Sequence, residues 1–470
     1  MNKIKEKFIS FYNSENPTKI EYGFVILVCF IMLITYAYND LKSLTIWSTN
    51  ILDVVYDFKI QDYFSYTALN IYNAPHQYVS GTVYNLIPWA IWNIPIWIMQ
   101  RFFNNPILFN PISLIYSNMF LVACLVFTLY FTYKIVMKLT NDLSKAKWVI
   151  FLSLSFIYTL IGIFYAGQTD IMISLLSVMG LYFLIEKKEK YFLILSSFAI
   201  SIKYFFFFPY IAIILLTEKK ISKIFYKLFI GLIPTIASFL VFHFMPMYSV
   251  SSEANPFYWM INDFVNGFVV VNNGNTLSMF ILGLLFIYFM SYITKVKDEK
   301  EKIHYIIYLI VASYSMIFMF STYEFYRMIL LMPFIYILFS LSKRWNLNII
   351  LETVLSLTSI FLMINHNQNY FFSNVNSLNG GLLASMLNIT NFNDYSVYMV
   401  ANSIPFYGVL SSVASSILVG VFIIILVINH PRFKDSLIQI KDDINVRGLI
   451  WLRLFIIVPF IMYNIIMLLR

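Results

Sequence analysis

Ile20-Glu-Tyr-Gly-Phe-Val-Ile-Leu-Val-Cys-Phe-Ile-Met-Leu-Ile-Thr-Tyr-Ala-Tyr38 is the first of many apolar runs in the chain, and it contains one charged side chain. At about 1.5 Å per residue a helix of this run matches a bilayer's hydrocarbon core of about 30 Å, with its backbone hydrogen bonds satisfied internally. Similar runs recur to the C-terminus. Of the 470 residues, 60% are apolar, 19% aromatic and only 12% charged, more apolar surface than a soluble domain of this length can bury. The expected fold class is therefore an all-α, polytopic helical membrane protein. Lys3, Lys5, Lys7 and Lys19 precede the first run, and no small-residue cleavage pattern follows it, so it reads as a retained span rather than a signal peptide.

The formal charge of +9 does not point to nucleic acid, because the basic residues are parcelled between apolar runs. They form the groups Lys138/Lys145/Lys147, Lys187/Lys188/Lys190, Lys219/Lys220/Lys223/Lys227, Lys295/Lys297/Lys300/Lys302, Lys343/Arg344 and Arg432/Lys434/Lys441/Arg447. Such grouping sets orientation: clusters inside, and residues 39 onward outside. The stretches 244–275 and 365–403 hold no Lys or Arg and are expected to be external loops. Cys29 and Cys124 lie within apolar runs and read as small packing residues.

Counting crossings exposes a parity constraint. Two full spans between Tyr84 and Lys138 would put the Lys138 cluster outside, so one segment must fall short. Residues 84–112, broken by Pro88, Pro95, Pro106 and Pro111 and bearing Trp89, Trp92 and Trp97, fit an external or re-entrant segment. Spans then follow at 113–137, 148–166 and 171–186. Tyr191 to Thr217 must fit as a short hairpin of two arms of about 20 Å each, with Lys203 and Pro209 near its turn. Later spans are expected at 223–243, 276–295, 303–322, 326–342, 346–364, 404–429 and 449–469. The total is about 13 crossings. The expected organisation is a membrane module over 1–220, whose long external loop 39–112 carries amphipathic helices, and a second module over 221–470.

Within that external loop, Asn50-Ile-Leu-Asp-Val-Val-Tyr-Asp-Phe-Lys-Ile-Gln-Asp62 carries Asp53 and Asp57 four residues apart, on one face of any helix formed there. A solvated amphipathic helix without chemistry is the plainer reading. Three other features sit at outer span edges: Gly167-Gln-Thr-Asp170, Lys203, and Tyr323-Glu-Phe-Tyr-Arg327. Gln168 and Asp170 also suit a helix cap, and Glu324 can pair with Arg327 across one turn. Lys203, with aromatic residues and Pro209 behind it, is costly to hold in a membrane without an anionic partner. Together these residues supply a carboxylate base and two cations able to hold a lipid phosphate. No P-loop or dinucleotide turn is present, and the scattered His76, His243 and His366 form no metal-ligand spacing. No organic cofactor is expected, and dependence on a divalent cation stays open.

The loop acids, Tyr84-Asn-Leu-Ile-Pro88, Gly167-Gln-Thr-Asp170 and Ala199-Ile-Ser-Ile-Lys203 followed by aromatics resemble, in this order, the GT-C class of integral-membrane glycosyltransferases. The resemblance covers residues 20–217, and Tyr326-Arg327 ahead of Pro333 extends it. It implies inverting transfer of a single sugar from a polyprenyl-phosphate carrier on the outer face of the cell membrane. Asp53 would be the base, with Asp57 its rival; Lys203 and Arg327 would attend the carrier phosphate, with Tyr84, Gln168 and Asp170 beside the substrate. Many relatives place two loop acids only one residue apart, whereas the spacing here is four, and the Lys-to-Pro interval is longer than the family's. The implied acceptor is a cell-envelope glycan or glycolipid. The Gly-poor, Lys/Asn/Ile/Phe-rich composition suits an AT-rich bacterial genome and hence undecaprenyl phosphate as carrier.

Two other classes compete. A flippase or transporter of lipid-linked sugars is expected to place ionisable groups near the midplane of two related halves, and no second half resembling the first is visible here. A polysaccharide polymerase is expected to hold anionic carriers with basic loop residues, which 244–275 and 365–403 lack.

Overall fold

The computed structural model describes residues 14–69, 83–103, 110–246, 269–272, 275–321, 324–366, 373–389, 396–433 and 447–469. The expected loop 244–275 lies largely outside the described residues, whereas most of 365–403 is described; the stretches Asn272–Asn275 and Asn365–Tyr370, whose amides and aromatic rings suit contact with a glycan acceptor, are described only in part. The fold is all-α and multi-pass, with one small antiparallel hairpin, β1 (Val269–Asn272) and β2 (Asn275–Ser278). Among the described residues, six helices are long and apolar enough to cross a membrane, and two bent pairs raise the number to eight.

The first bent pair organises one end of the molecule. Helix α1 (Lys19–Thr35) starts from a capping box in which the Thr18 hydroxyl and the Glu21 carboxylate satisfy each other's backbone N–H groups. It ends in an extended elbow at Tyr36–Tyr38. Helix α2 (Asn39–Tyr56) then leaves at 70° to α1, so a crossing α1 lays α2 over the end of the bundle. Beyond it come α3 (Tyr63–Leu69), α4 (Val83–Trp92) and α5 (Ile94–Phe103). The ten-residue helices α4 and α5 are each about 15 Å long, too short to cross. Asn93 joins them and donates to Ser48 Oγ on α2 at 2.9 Å, while Trp89 Nε1 donates to Ser117 Oγ at 2.7 Å. The Pro-broken segment is thereby pinned between α2 and α6 (Pro111–Thr140).

The second bent pair is α7 (Leu143–Leu154) and α8 (Ile157–Tyr165), bent by 48° and ending in a π-helical turn. Helix α9 (Asp170–Ile185) packs against α6 and α10 (Glu189–Ile202). A short 3-10 turn leads from Lys203 into α11 (Phe207–Thr217). Lys227 Nζ lies 2.6 Å from Glu189 at the start of α10 and 3.5 Å from Glu218 at the end of α11. The two arms therefore return to the same level, with Lys203 at the turn.

Helices α12 (Ile221–Phe242), α13 (Met279–Ile293), α14 (Glu299–Phe320), α15 (Met332–Leu341), α16 (Trp345–His366), α17 (Asn374–Ser377), α18 (Leu382–Met386), α19 (Val397–Asn402), α20 (Tyr407–Ile428) and α21 (Arg447–Leu468) complete the order. Every residue from Met332 to Ser340 is buried, so α15 forms the centre of the bundle, as an all-round apolar helix should. By contrast α12 exposes Phe225, Phe229, Ile233, Ile236 and Leu240, an outward apolar face suited to lipid. Residues on either side of 220 interleave, since α11 packs against α13 and α14, and α15 against α6 and α7.

The basic groups meet at the end opposite the elbow. Lys219 donates to the Tyr292 carbonyl at 2.6 Å, Arg432 pairs with Glu301 at 2.9 Å, and Arg447 pairs with Glu21 at 2.8 Å.

Candidate functional site at the α1–α2 elbow

The turn from α8 into α9 begins the site. Gly167 has φ +65°, and a Cβ there would lie 2.8 Å from Leu41 Cβ, so only glycine permits this backbone against α2. The next residue, Gln168, is held by its backbone N–H on the Gly162 carbonyl at 2.8 Å and donates its side-chain amide to Asp40 Oδ2. Asp40 is half-buried in the first turn of α2, where a carboxylate complements the exposed N–H groups.

Asp170 opens α9 and is fully buried. Its Oδ1 accepts from Lys203 Nζ at 2.9 Å, whereas its Oδ2 has no hydrogen-bond partner among the described residues. Lys203 holds this position because α10 stops at Ile202: its own backbone is extended, with φ −153° and ψ 139°, which throws the side chain across to α9. Asp40 and Arg327 both lie within electrostatic reach of the Lys203 ammonium.

Arg327 belongs to a 3-10 turn, Phe325–Leu330, between α14 and α15. Its guanidinium carbon lies 5.2 Å over the Phe205 ring, and its buried Nε has no hydrogen-bond partner among the described residues. Glu324, one turn earlier, does not pair with it as a side chain; the link between them is the Arg327 N–H on the Glu324 carbonyl at 2.9 Å. Tyr38, Tyr165 and Tyr326 line the same region, with Tyr38 and Tyr165 ring centres 6.1 Å apart and Asp40 within electrostatic reach of Tyr326.

Four chain segments thus bring Asp40, Gln168, Asp170, Lys203 and Arg327 together. The structure unites four of the sequence candidates and adds Asp40. Asp53 and Asp57 lie elsewhere, and Tyr84 makes no hydrogen bond, ion pair or ring contact with any of the five. Asp53 is 13 residues further along α2, about 20 Å away along the helix axis. There its carboxylate accepts from Trp97 Nε1 at 2.8 Å and from the Tyr66 hydroxyl at 3.3 Å. Arg101 bridges Asp57, at 2.8 Å, and Asp53, at 3.8 Å, while lying over the Tyr56 ring. These acids join α2 to α5. Tyr84 packs edge-on against Phe198.

Asp40 had a signal in the sequence: it is the first acid beyond the first apolar run. Its neighbours, Asn39 and Leu41, supply no second acid, so spacing alone favours the later pair. Among the described residues, no group of three or more His, Cys, Asp or Glu side chains is arranged to hold a metal ion. Chemically, the site offers a half-buried carboxylate, a cation already paired with a carboxylate, and a second cation whose Nε lacks a hydrogen-bond partner among the described residues. No protein-family model matches the chain, and no curated protein is significantly similar to it.

Proposed function

We propose that the chain is a membrane glycosyltransferase that moves one sugar from a polyprenyl-phosphate carrier to a glycan or glycolipid acceptor. The observation that carries this reading is the Arg327 guanidinium, stacked over Phe205 with Nε unbonded among the described residues, beside the Lys203–Asp170 pair. A buried cation is expensive without an anion, and a lipid phosphate arriving at the membrane edge supplies one. Asp40, rather than Asp53 or Asp57, is the base in this reading, because it shares the site with both cations.

The reaction follows from those roles. An acceptor hydroxyl gives its proton to the Asp40 carboxylate as its oxygen bonds to the anomeric carbon of the donor sugar. The bond from that carbon to the phosphate oxygen breaks, and the electron pair leaves on polyprenyl phosphate. Arg327 and Lys203 stabilise the charge that grows on the leaving oxygen, and attack from the opposite face inverts the anomeric centre. Gln168 orients Asp40, and Asp170 fixes the Lys203 ammonium.

The rest of the reading is a GT-C-like architecture in the cell membrane, with about 13 crossings when the short apolar helices and both hairpin arms are counted. The basic end faces the cytoplasm with the N-terminus, and the elbow end faces outward. Undecaprenyl phosphate is the proposed carrier and the cell envelope the destination.

The test is a transfer assay on purified protein in nanodiscs. A panel of polyprenyl-phosphate sugars and acceptors is supplied, and released polyprenyl phosphate is followed for the parent, Asp40→Asn and Arg327→Gln. Release by the parent that is lost in both variants supports the reading. If no carrier is consumed but labelled lipid-linked sugar changes leaflet, the protein is a transporter of that lipid.

A further inference from the structure

The segment 373–389, which lies between α16 and α19, folds back over the elbow that carries Asp40. Its two short helices, α17 and α18, flank Asn379-Gly380-Gly381, and Ser373 forms a bridge to Ser396 near the start of α19. The segment is packed rather than draped: Ser373, Ser377 and Leu378 are fully buried and Ala384 nearly so.

Three contacts tie it to residues 35–39. The Ala37 N–H, at the centre of the extended elbow, donates to the Ser377 carbonyl at 2.8 Å. Asn39 Nδ2 donates to Asn376 Oδ1 at 2.8 Å. Gly381 lies directly on the Thr35 carbonyl oxygen, so closely that a Cβ at 381 would overlap it. Gly380, with φ +86°, makes the turn between these contacts and faces Leu114, Lys42 and Ala37. The Tyr36 N–H still bonds back to the Met32 carbonyl and the Tyr38 carbonyl accepts from the Lys42 N–H, but the Ala37 N–H between them leaves the helical pattern, and the partner that satisfies it and so helps set the elbow's direction is this segment. Asp40 begins the helix that the elbow aims.

We infer that residues 373–389 are a clamp that fixes the α1–α2 elbow and thereby holds the Asp40 carboxylate beside Gln168 and Lys203. Asn376 and Gly381 are its positioning residues. The inference rests on the reading of Asp40 as the base, and it assigns a role in turnover to a segment more than 330 positions away in sequence. It also accounts for the glycine pair, since one glycine makes the turn and the other permits backbone contact.

The experiment uses the full chain in nanodiscs, with Gly381→Ala, Asn376→Ala, Asn376→Asp and Asp40→Asn. Hydrogen–deuterium exchange is read at Ala37 and across residues 35–42, with residues 332–340 as the folded reference. Transfer is measured with the donor found for the parent. Gly381→Ala is expected to raise exchange at Ala37 by at least about fivefold, as loss of one backbone hydrogen bond allows, with the reference unchanged. It is expected to lower kcat by about tenfold to a hundredfold, the cost of a misplaced catalytic group, with donor KM nearly constant. Asn376→Ala should follow in the same direction, and Asn376→Asp, which keeps an accepting oxygen, should restore turnover. Unchanged exchange at Ala37 in Gly381→Ala overturns the clamp. So does raised exchange with parental kcat in a chain that Asp40→Asn inactivates. Parental turnover by Asp40→Asn, or no donor consumed by the parent, overturns the functional reading instead; the exchange result then decides the clamp alone.

Discussion

Lys203 Nζ donates to Asp170 Oδ1 across 2.9 Å, joining the turn of one helical hairpin to the first residue of the helix beside it. Asp170 is fully buried, so removing the ammonium strands a carboxylate without its counter-ion. Lys203→Met is expected to cost about 3–5 kcal/mol of stability, the usual penalty for breaking a buried pair. The double variant Asp170→Asn/Lys203→Met should recover most of that loss, because no buried charge is left alone. Transfer activity should stay absent in both. Thermal unfolding in detergent alongside the carrier-release assay separates the two effects, and an active double variant would remove Lys203 from the phosphate role.

Asp40 and Asp53 share one helix yet keep different company, which makes them a matched pair for testing the base. Asp40→Asn should reduce transfer by about 10²–10⁴-fold with little loss of stability, since an amide accepts from Gln168 but takes no proton. Asp53→Asn keeps an oxygen for Trp97 Nε1 and weakens the link to Arg101, so a loss of about 1–2 kcal/mol with near-parental turnover is expected. Carrier release measured on the two proteins at equal folded concentration decides the matter. The opposite pattern would return the base to the α2–α5 junction.

Why the sequence pointed to Asp53 is a physical question about neighbours. Period and hydropathy identify helices and their ends, so the multi-pass all-α class and the short Pro-broken stretch before residue 112 were legible. Lys203 and Gly167-Gln-Thr-Asp170 stood out for a related reason: a charge in an apolar run, or a polar group at its edge, violates the local pattern. Asp40 violates nothing, because an acid in the first turn of a helix is ordinary capping chemistry. Its role depends on the 70° bend at Tyr36–Tyr38 and on Gln168 arriving from 128 positions away. Neither the bend nor the strap over it has a local signature. Asp53 and Asp57 were conspicuous by their spacing, and that spacing serves Arg101, a partner on α5 that one-dimensional reading does not supply.

Gly167 tests how closely the two sides of the site depend on each other. Alanine there must adopt φ +65°, and its Cβ must also push against Leu41 Cβ, only 2.8 Å away. A destabilisation of about 1–3 kcal/mol is expected from the backbone alone. Because Leu41 adjoins Asp40 and Gly167 adjoins Gln168, the same change should lower kcat beyond what lost folding explains. Adding Leu41→Ala removes side-chain bulk beyond its Cβ and should recover only part of the loss. Full recovery would show that steric contact, not backbone conformation, dictates glycine at this turn.

Arg453 and Glu352 give the protein a second buried pair, far from the elbow, and its expected behaviour is different. Both side chains are fully buried, on α21 and α16, with Arg453 Nη1 donating to Glu352 Oε2 at 2.8 Å and to the Tyr336 hydroxyl at 3.0 Å. Arg453 also donates to Ser155 Oγ, in the break between α7 and α8, so one guanidinium ties the last helix to three others. Glu352 Oε1 is satisfied by Ser356 at 2.9 Å. The Arg453 Nε, like that of Arg327, has no hydrogen-bond partner among the described residues, but both of its Nη atoms are held by protein groups, one of them a carboxylate, which is the signature of a packing latch rather than a substrate site. Glu352→Leu alone should cost about 3–5 kcal/mol by leaving a buried cation unpaired. Glu352→Leu/Arg453→Met should regain most of it, since apolar replacements of similar volume remove both desolvation penalties. Turnover of the double variant should match the parent, and it should do so per folded molecule in size-exclusion-purified protein. A double variant that folds as well as the parent and transfers no sugar would show that this pair belongs to the working machinery, and that the site extends through α15 to the basic end of the bundle.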